Sequence, residues 1–241
     1  LWQPDEARLR TANVTHFIGR LLREEHVALS GFDALWQWSV DHPERFWREV
    51  WRECEIVGEM GPEPHLVDAD RMPGARFFPK ARINWAENLL AGIAKLDPDG
   101  DAIVFRGEDK VERRISRRDF RALVAKLAAA MREMGIGPGD RVAGYLPNLP
   151  ETVAACLAAN AVGAVWSSCS PDFGPQGVLD RFGQIEPKLL ICADGYFYAG
   201  KTHDSLARVA EFLPSLPTVE RVVVVPDTRQ APPLDALPNA V

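Results

Sequence analysis

Residues 140–201, DRVAGYLPNLPETVAACLAANAVGAVWSSCSPDFGPQGVLDRFGQIEPKLLICADGYFYAGK, leave few folds open. Three short apolar runs (142–146, 164–168 and 189–192) alternate with two helix-length segments that each begin at a proline (150–162 and 175–185). Apolar runs without inside/outside alternation predict strands covered on both faces, and a helix between successive strands is what a parallel crossover requires. The order predicts β-α-β-α-β: an α/β fold with a mostly parallel sheet flanked by helices and right-handed crossovers. In such sheets ligands lie beyond the carboxyl ends of the strands, which marks residues 147–150, 169–174 and 194–201 as the working edge.

Before this core, the chain reads as a helical amino-terminal segment. THFIGRLLREEHV predicts one amphipathic helix with Phe17, Leu21 and Leu22 on one side. GFDALWQWSVDHPERFWREVWREC predicts two more helices divided at Pro43, with Phe46, Trp47, Val50 and Trp51 at i, i+4 spacing as a packing stripe. Frequent Pro and Gly over residues 58–82 predict an irregular connector. Asn84 with Glu87, and Ser116 with Asp119, have the spacing of helix-start caps, for helices over 84–96 and 117–134. Between them, AIVFRG and KVERRIS predict a hairpin turning at 107–109. Further on, a helix is expected over 203–213, a fourth buried strand at RVVVV (221–225) and an irregular Pro-rich tail. The expected division is 1–98, helical segment plus connector, and 99–241, the α/β subdomain.

A net charge of −6 argues against nucleic acid and anionic membrane as partners, since both need a clustered positive field. The densest basic run, ERRISRRDFR (112–121), interleaves acids and reads as a hydrated strand end and helix start. Cys54, Cys156, Cys169 and Cys192 are widely spaced, without metal-ligand spacing, and read as reduced thiols of a cytoplasmic protein. Cys156 and Cys192 fall on apolar faces and read as core, whereas for Cys169, at a strand end, a reactive thiol is the minor of two readings. No apolar segment is long enough for a membrane helix. His16, His26, His42, His65 and His203 have no partners at metal or triad spacing. The turn after the first central strand is LPNLPE instead of GxGxxG, and neither GxxxxGK[ST] nor GxSxG occurs, so a dehydrogenase, P-loop or hydrolase reading has no motif behind it.

Three segments carry a resemblance: RINWAENLL, RRISRRDFRALVAKLAAAMREMGIGPGDRVAGYLPN, and AANAVGAVWSSCSPDFGPQGVLDRFGQIEPKLLICADGYFYAGK. In register over roughly residues 30–225, the chain resembles the amino-terminal part of the adenylate-forming acyl-CoA synthetases. WSSCSPDFG and GYFYAGK resemble the branch of that family that activates acetoacetate. The resemblance implies two half-reactions: a carboxylate attacks the α-phosphate of ATP to give an acyl-adenylate and pyrophosphate, then the CoA thiol displaces AMP. Adenylation supplies a better leaving group, while Mg²⁺ and basic groups offset the phosphate charge. The family's phosphate loop, acidic ribose-binding residue and carboxy-terminal lid lysine have no counterpart in these 241 residues. On the resemblance, then, the chain is expected to be an amino-terminal part, truncated before the ATP-binding loop and inactive alone, with no catalytic or metal-binding residue. Its partners would be acetoacetate, CoA, ATP and the carboxy-terminal remainder of the same protein. The family's CoA entrance corresponds here to 170–174 and 198–201, naming Asp172, Phe173, Gly174, Tyr198 and Lys201. Asp172 stands where a glycine occurs in the acetate-activating branch, and Arg181 reads as a packing residue instead of a ligand. Two other readings stay open on the residues: a stand-alone, non-catalytic α/β binding or scaffolding domain, and a short-chain acyl-CoA synthetase for a different acid.

Overall fold

The computed structural model of the chain describes residues 2–108 and 110–241, so Asp109, at the tip of the expected 107–109 turn, lies outside the described residues. Two compact units divide the chain at Leu1–Ile83 and Asn84–Val241. The break falls earlier than the 98/99 division expected from the sequence. The helix after Asn84 sends Ala86, Leu90 and Ile93 into the same apolar cluster as the central sheet, and so it belongs with the α/β unit.

The first unit contains α1 (Glu6–Thr11), α2 (Asn13–Glu25), α3 (Phe32–Asp41) and α4 (Pro43–Glu53). Pro43 opens α4, where a missing N–H costs nothing. Phe17 and Leu21 are buried as expected, but Leu22 is 53 % exposed, because a fifth residue along lies about 140° around the helix from Phe17. Phe46 meets Phe17 and Trp38 edge-on, at 6.1 and 6.2 Å between ring centres. Glu49 is fully buried yet charged, and Arg20 (3.1 Å), Arg48 (3.4 Å) and Arg52 (2.6 Å) close around its carboxylate. Burial of a carboxylate is tolerated only with such partners. The connector holds four two-residue strands, β1 (Gly58–Glu59), β2 (Leu66–Val67), β3 (Arg76–Phe77) and β4 (Arg82–Ile83), paired β1 with β4 and β2 with β3. Trp47 and Trp51 pack on Phe77 and Phe78 (6.0 and 5.1 Å), so the aromatic stripe serves to hold the connector.

The second unit runs α5 (Trp85–Ala94), β5 (Asp101–Gly107), β6 (Val111–Ser116), α6 (Arg117–Glu133), β7 (Arg141–Tyr145), α7 (Pro150–Ala161), β8 (Val165–Cys169), α8 (Pro175–Ile185), β9 (Leu189–Ala193), β10 (Gly195–Tyr198), β11 (Lys201–Asp204), α9 (Leu206–Phe212) and β12 (Arg221–Val225). Both expected caps form: the Asn84 side chain accepts from Glu87 N at 3.0 Å, and Ser116 Oγ accepts from Asp119 N at 3.0 Å. β12, β9, β7 and β8 make one four-stranded parallel sheet in that order. Its residues alternate between two apolar clusters. Val142, Leu189, Ile191 and Val223 face α5, α6 and α7, while Ala143, Tyr145, Leu190, Cys192 and Val224 face α8 and α9. The chain moves outward from β7 to β8 with its helix on one face, then back across to β9 and on to β12 with helices on the other. Reversing both direction and face preserves the hand, so the three crossovers share one handedness, as the rule for parallel connections requires.

Three expectations change in this unit. The run at 164–168 is not covered on both faces: β8 is the sheet edge, Val165 is 52 % exposed and only Cys169 in it is buried. The helix expected from residue 203 starts at Leu206, because residues 195–204 form an antiparallel hairpin instead, with Tyr196 opposite His203 and Tyr198 opposite Lys201. The tail is not wholly irregular, since Val241 N donates to Val222 O (2.9 Å) and Val224 N to Val241 O (2.8 Å) along the open edge of β12.

Candidate functional site

β7 and β9 are neighbours, but the chain leaves β7 toward β8 on one side and reaches β9 on the other. Where connections diverge in this way, the loops at the strand ends part and leave a crevice. A cleft of about 530 Å³ lies there, lined by Leu146 to Leu149 after β7, Ser168 to Asp172 around the end of β8, Tyr196 to Tyr198 in β10, and Asp227 after β12. The hairpin β5–β6 closes it with Phe105, Arg106, Gly107 and Glu108.

Of the residues named from the sequence, Asp172 and Tyr198 line the cleft. Phe173, Gly174 and Lys201 are not among its lining residues. Phe173 lies under the exposed Arg181 guanidinium, 4.1 Å from the ring centre, and Arg181 also donates to Gly177 O at 2.7 Å. Gly174 is the residue before α8 and begins no side-chain cap. Lys201 is exposed, directly across the hairpin from Tyr198, and its side chain makes no hydrogen bond or ion pair with any of the described residues.

The walls are anchored by side chains that sequence reasoning did not single out. Asp194 is fully buried, and its Oδ1 accepts from the backbone N–H groups of Asp227 (2.6 Å) and Thr228 (2.9 Å) while Oδ2 accepts from Thr228 Oγ1 (2.6 Å). Those bonds fold the chain after β12 against the start of β10. A side chain at Gly195 would run into the His203 carbonyl oxygen and sit 2.9 Å from Thr228 Oγ1, so only glycine fits beside this node. Asp204 and Arg229 pair at 2.5 Å; burial opposes ionisation of Asp204, but Arg229 and the N–H groups of Ala207 and Leu206 outweigh it and hold the carboxyl below its usual range. On the opposite wall Arg113 clamps Glu151, in the first turn of α7, through two bonds of 2.8 and 2.7 Å, and lies 5.3 Å from the Phe105 ring centre. That pairing raises the Arg113 pKa further above its ordinary value. Asp227 is pushed up by burial and by the charge of Asp194, with Arg113 opposing.

Charge in the cleft is mainly negative: Glu108, Asp172 and Asp227 against Arg106. Phe105, Tyr196, Phe197 and Tyr198 make it aromatic, which suits a flat ring or an apolar chain better than a bare phosphate. Burial disfavours the thiolate of Cys169, which lines the cleft, and of Cys192 near the end of β9. Burial pushes the Cys169 thiol up to about 11, despite the opposing charge of Arg181, and the Cys192 thiol up to about 12. No cluster of three metal-binding side chains occurs among the described residues, and no helix formed by them is long and apolar enough to cross a membrane. Asp227 was findable from the sequence, since it follows RVVVV just as the other edge segments follow their strands. Phe105 carried no such signal, because its antiparallel hairpin stands outside the β-α order.

Known proteins are similar to this chain in sequence and fold. An acetoacetyl-coenzyme A synthetase of Rhizobium meliloti (strain 1021) is 51 % identical over 221 residues, 91 % of this chain and 33 % of the relative. An acetoacetyl-CoA synthetase of Danio rerio is 40 % identical over 245 residues, 100 % of this chain and 36 % of the relative. The solved acetoacetyl-CoA synthetase from Streptomyces lividans superposes with a TM-score of 0.87 at 40 % identity, covering 100 % of this chain and 36 % of that one. The chain thus spans about a third of the length of the relatives it matches. Residues 32–89 match the acetyl-coenzyme A synthetase N-terminus family. Residues 92–240, more than half of the 241, match the AMP-binding enzyme family, and the chain belongs to it.

Proposed function

We propose that this chain works as the amino-terminal part of a longer ligase that joins acetoacetate to CoA through an acyl-adenylate, using ATP and Mg²⁺. The observation that carries this reading is the similarity to acetoacetyl-CoA synthetases over nearly the whole chain, at up to 51 % identity, with a shared fold. Residues for adenylation would come from the part of the relatives that this chain does not span, so the chain alone should be inactive. What it would contribute is a wall of the CoA entrance: Asp172, Phe173 and Gly174 on one side, Tyr198 and Lys201 on the other. The charge of the cleft supports a division of labour there. With Glu108, Asp172 and Asp227 inside, the 3′-phosphate of CoA is better placed at the rim, where the Lys201 ammonium is free to meet it as a point charge. Unpaired, buried Cys169 and Cys192 support a reducing setting such as the cytoplasm.

The test is steady-state kinetics on the protein expressed from its complete reading frame, alongside the 241-residue chain. Acetoacetate should be used with a higher kcat/KM than acetate, and the short chain should release no pyrophosphate from ATP. Equal use of both acids would remove the acetoacetate assignment and leave a short-chain acyl-CoA synthetase. Catalysis by the short chain would overturn the division of labour. Lys201→Ala should raise the KM for CoA about fivefold, a partly screened charge-assisted bond, and leave dephospho-CoA unaffected. An equal loss with both would reduce Lys201 to a structural residue.

A further inference from the structure

The loop from Ser170 to Gly174 leaves the edge strand β8 and must cross to α8, yet it has no strand partner of its own. Tyr145, the last residue of β7, reaches it from below. Its ring is fully buried and packs edge-on against Phe212 at 5.4 Å. Its hydroxyl lies 2.7 Å from the Pro171 carbonyl oxygen and 3.0 Å from that of Phe173, donating between the two. Arg208, from α9, donates to the same Pro171 oxygen at 2.8 Å. The two tethered carbonyls flank Asp172, the loop residue that lines the cleft. A phenylalanine would fill the same apolar site without the cost of burying a hydroxyl, so the hydroxyl is retained for the bonds it makes. Burial raises the phenol pKa, with Arg208 opposing, which keeps the group in its donating form.

We propose that Tyr145 is a positioning residue for CoA: without touching the ligand, it holds residues 171–173 in one conformation, so that Asp172 and the loop backbone present a preformed wall. This rests on the reading of 170–174 as part of the CoA entrance. Arg208 assists from the second side, and the Phe173 ring is fixed separately by Arg181. A preformed wall lowers the ordering cost of binding, and that cost returns when the tether is cut.

The experiment is Tyr145→Phe in the protein expressed from its complete reading frame, with Arg208→Gln as a second variant that leaves the buried ring intact. Two readouts are taken: amide hydrogen exchange over 168–176 without ligand, and the KM values for CoA, ATP and the acid. Loss of one tether should speed exchange in the loop and raise the KM for CoA about fivefold, with the other KM values and the adenylation rate unchanged. Unchanged loop exchange in both variants would overturn the tether. Faster exchange with an unchanged KM for CoA would overturn its role toward CoA, and a parallel rise in all KM values would show a merely structural residue. If the wild-type protein forms no CoA thioester at all, the proposed function has failed, while the exchange readout still decides whether Tyr145 holds the loop.

Discussion

Cys169 shows how far a residue's chemistry depends on its surroundings. A thiol at a strand end on the working edge leaves a reactive role open as the minor reading; Cys169 is buried, and burial pushes it up to about 11. Cys192, on the far side of β7 in the same sheet, is driven to about 12 by burial and by the charge of Asp194. At pH 8 a thiol with such a pKa is thiolate in about one molecule per thousand or fewer. Labelling the native protein with iodoacetamide at pH 8 should therefore modify the exposed Cys54, with Cys169 and Cys192 reacting only after denaturant is added. Rapid native labelling of Cys169 would contradict its placement. The sign of the pH effect follows: folding favours the neutral thiols, so their contribution to stability is complete below the ordinary value of 9.0 and is lost as pH rises toward 11 and 12.

At the level of elements, the hairpin β10–β11 turns through two residues, Ala199 at φ 50° and Gly200 at φ 73°. Both are left-handed, the geometry that matches the twist of a tight hairpin and that favours Asn-Gly. Gly200 is there for its backbone; nothing lies within 4 Å of where its side chain would be. Ala199, by contrast, carries a strained conformation of about 1 kcal/mol. Ala199→Asn should raise stability by up to about 1 kcal/mol, and Gly200→Ala should lower it by a similar amount, both measurable by chemical denaturation. Equal stability of the three proteins would mean the turn is not formed as described. The chain announces its helix starts better than this turn: Ser116 and Asn84 cap as their spacing indicates, because a cap involves only near neighbours. A YAGK turn competes with helix and loop readings until Tyr196 stacks on His203 across the ladder, at 4.8 Å between ring centres.

Across the whole molecule, the unit Asn84–Val241 holds the parallel sheet and both apolar clusters on its faces. A polypeptide of residues 84–241 should unfold cooperatively in denaturant with the sheet intact. One of residues 99–241 should be less stable by several kcal/mol, since it loses the burial of Ala86, Leu90 and Ile93 against the sheet at roughly 0.8 kcal/mol per buried CH₂. Equal stability of the two would place α5 outside the core.

The β-α-β-α-β order, the helix caps and the position of the working edge follow from local pattern, because strand length, periodicity and capping are written into neighbouring residues. Strand order is not local. RVVVV next to LLICA, and WSSC at the exposed edge instead of the centre, depend on which strand the chain crosses over, and only the assembled sheet decides that. The cleft is decided in the same way. Asp172 and Tyr198 could be named from the edge rule and the resemblance. Asp227 could have been named from the same edge rule, but its meeting with Phe105, about 120 positions away, and the tethers from Tyr145 and Asp194 are set side by side only by the tertiary fold.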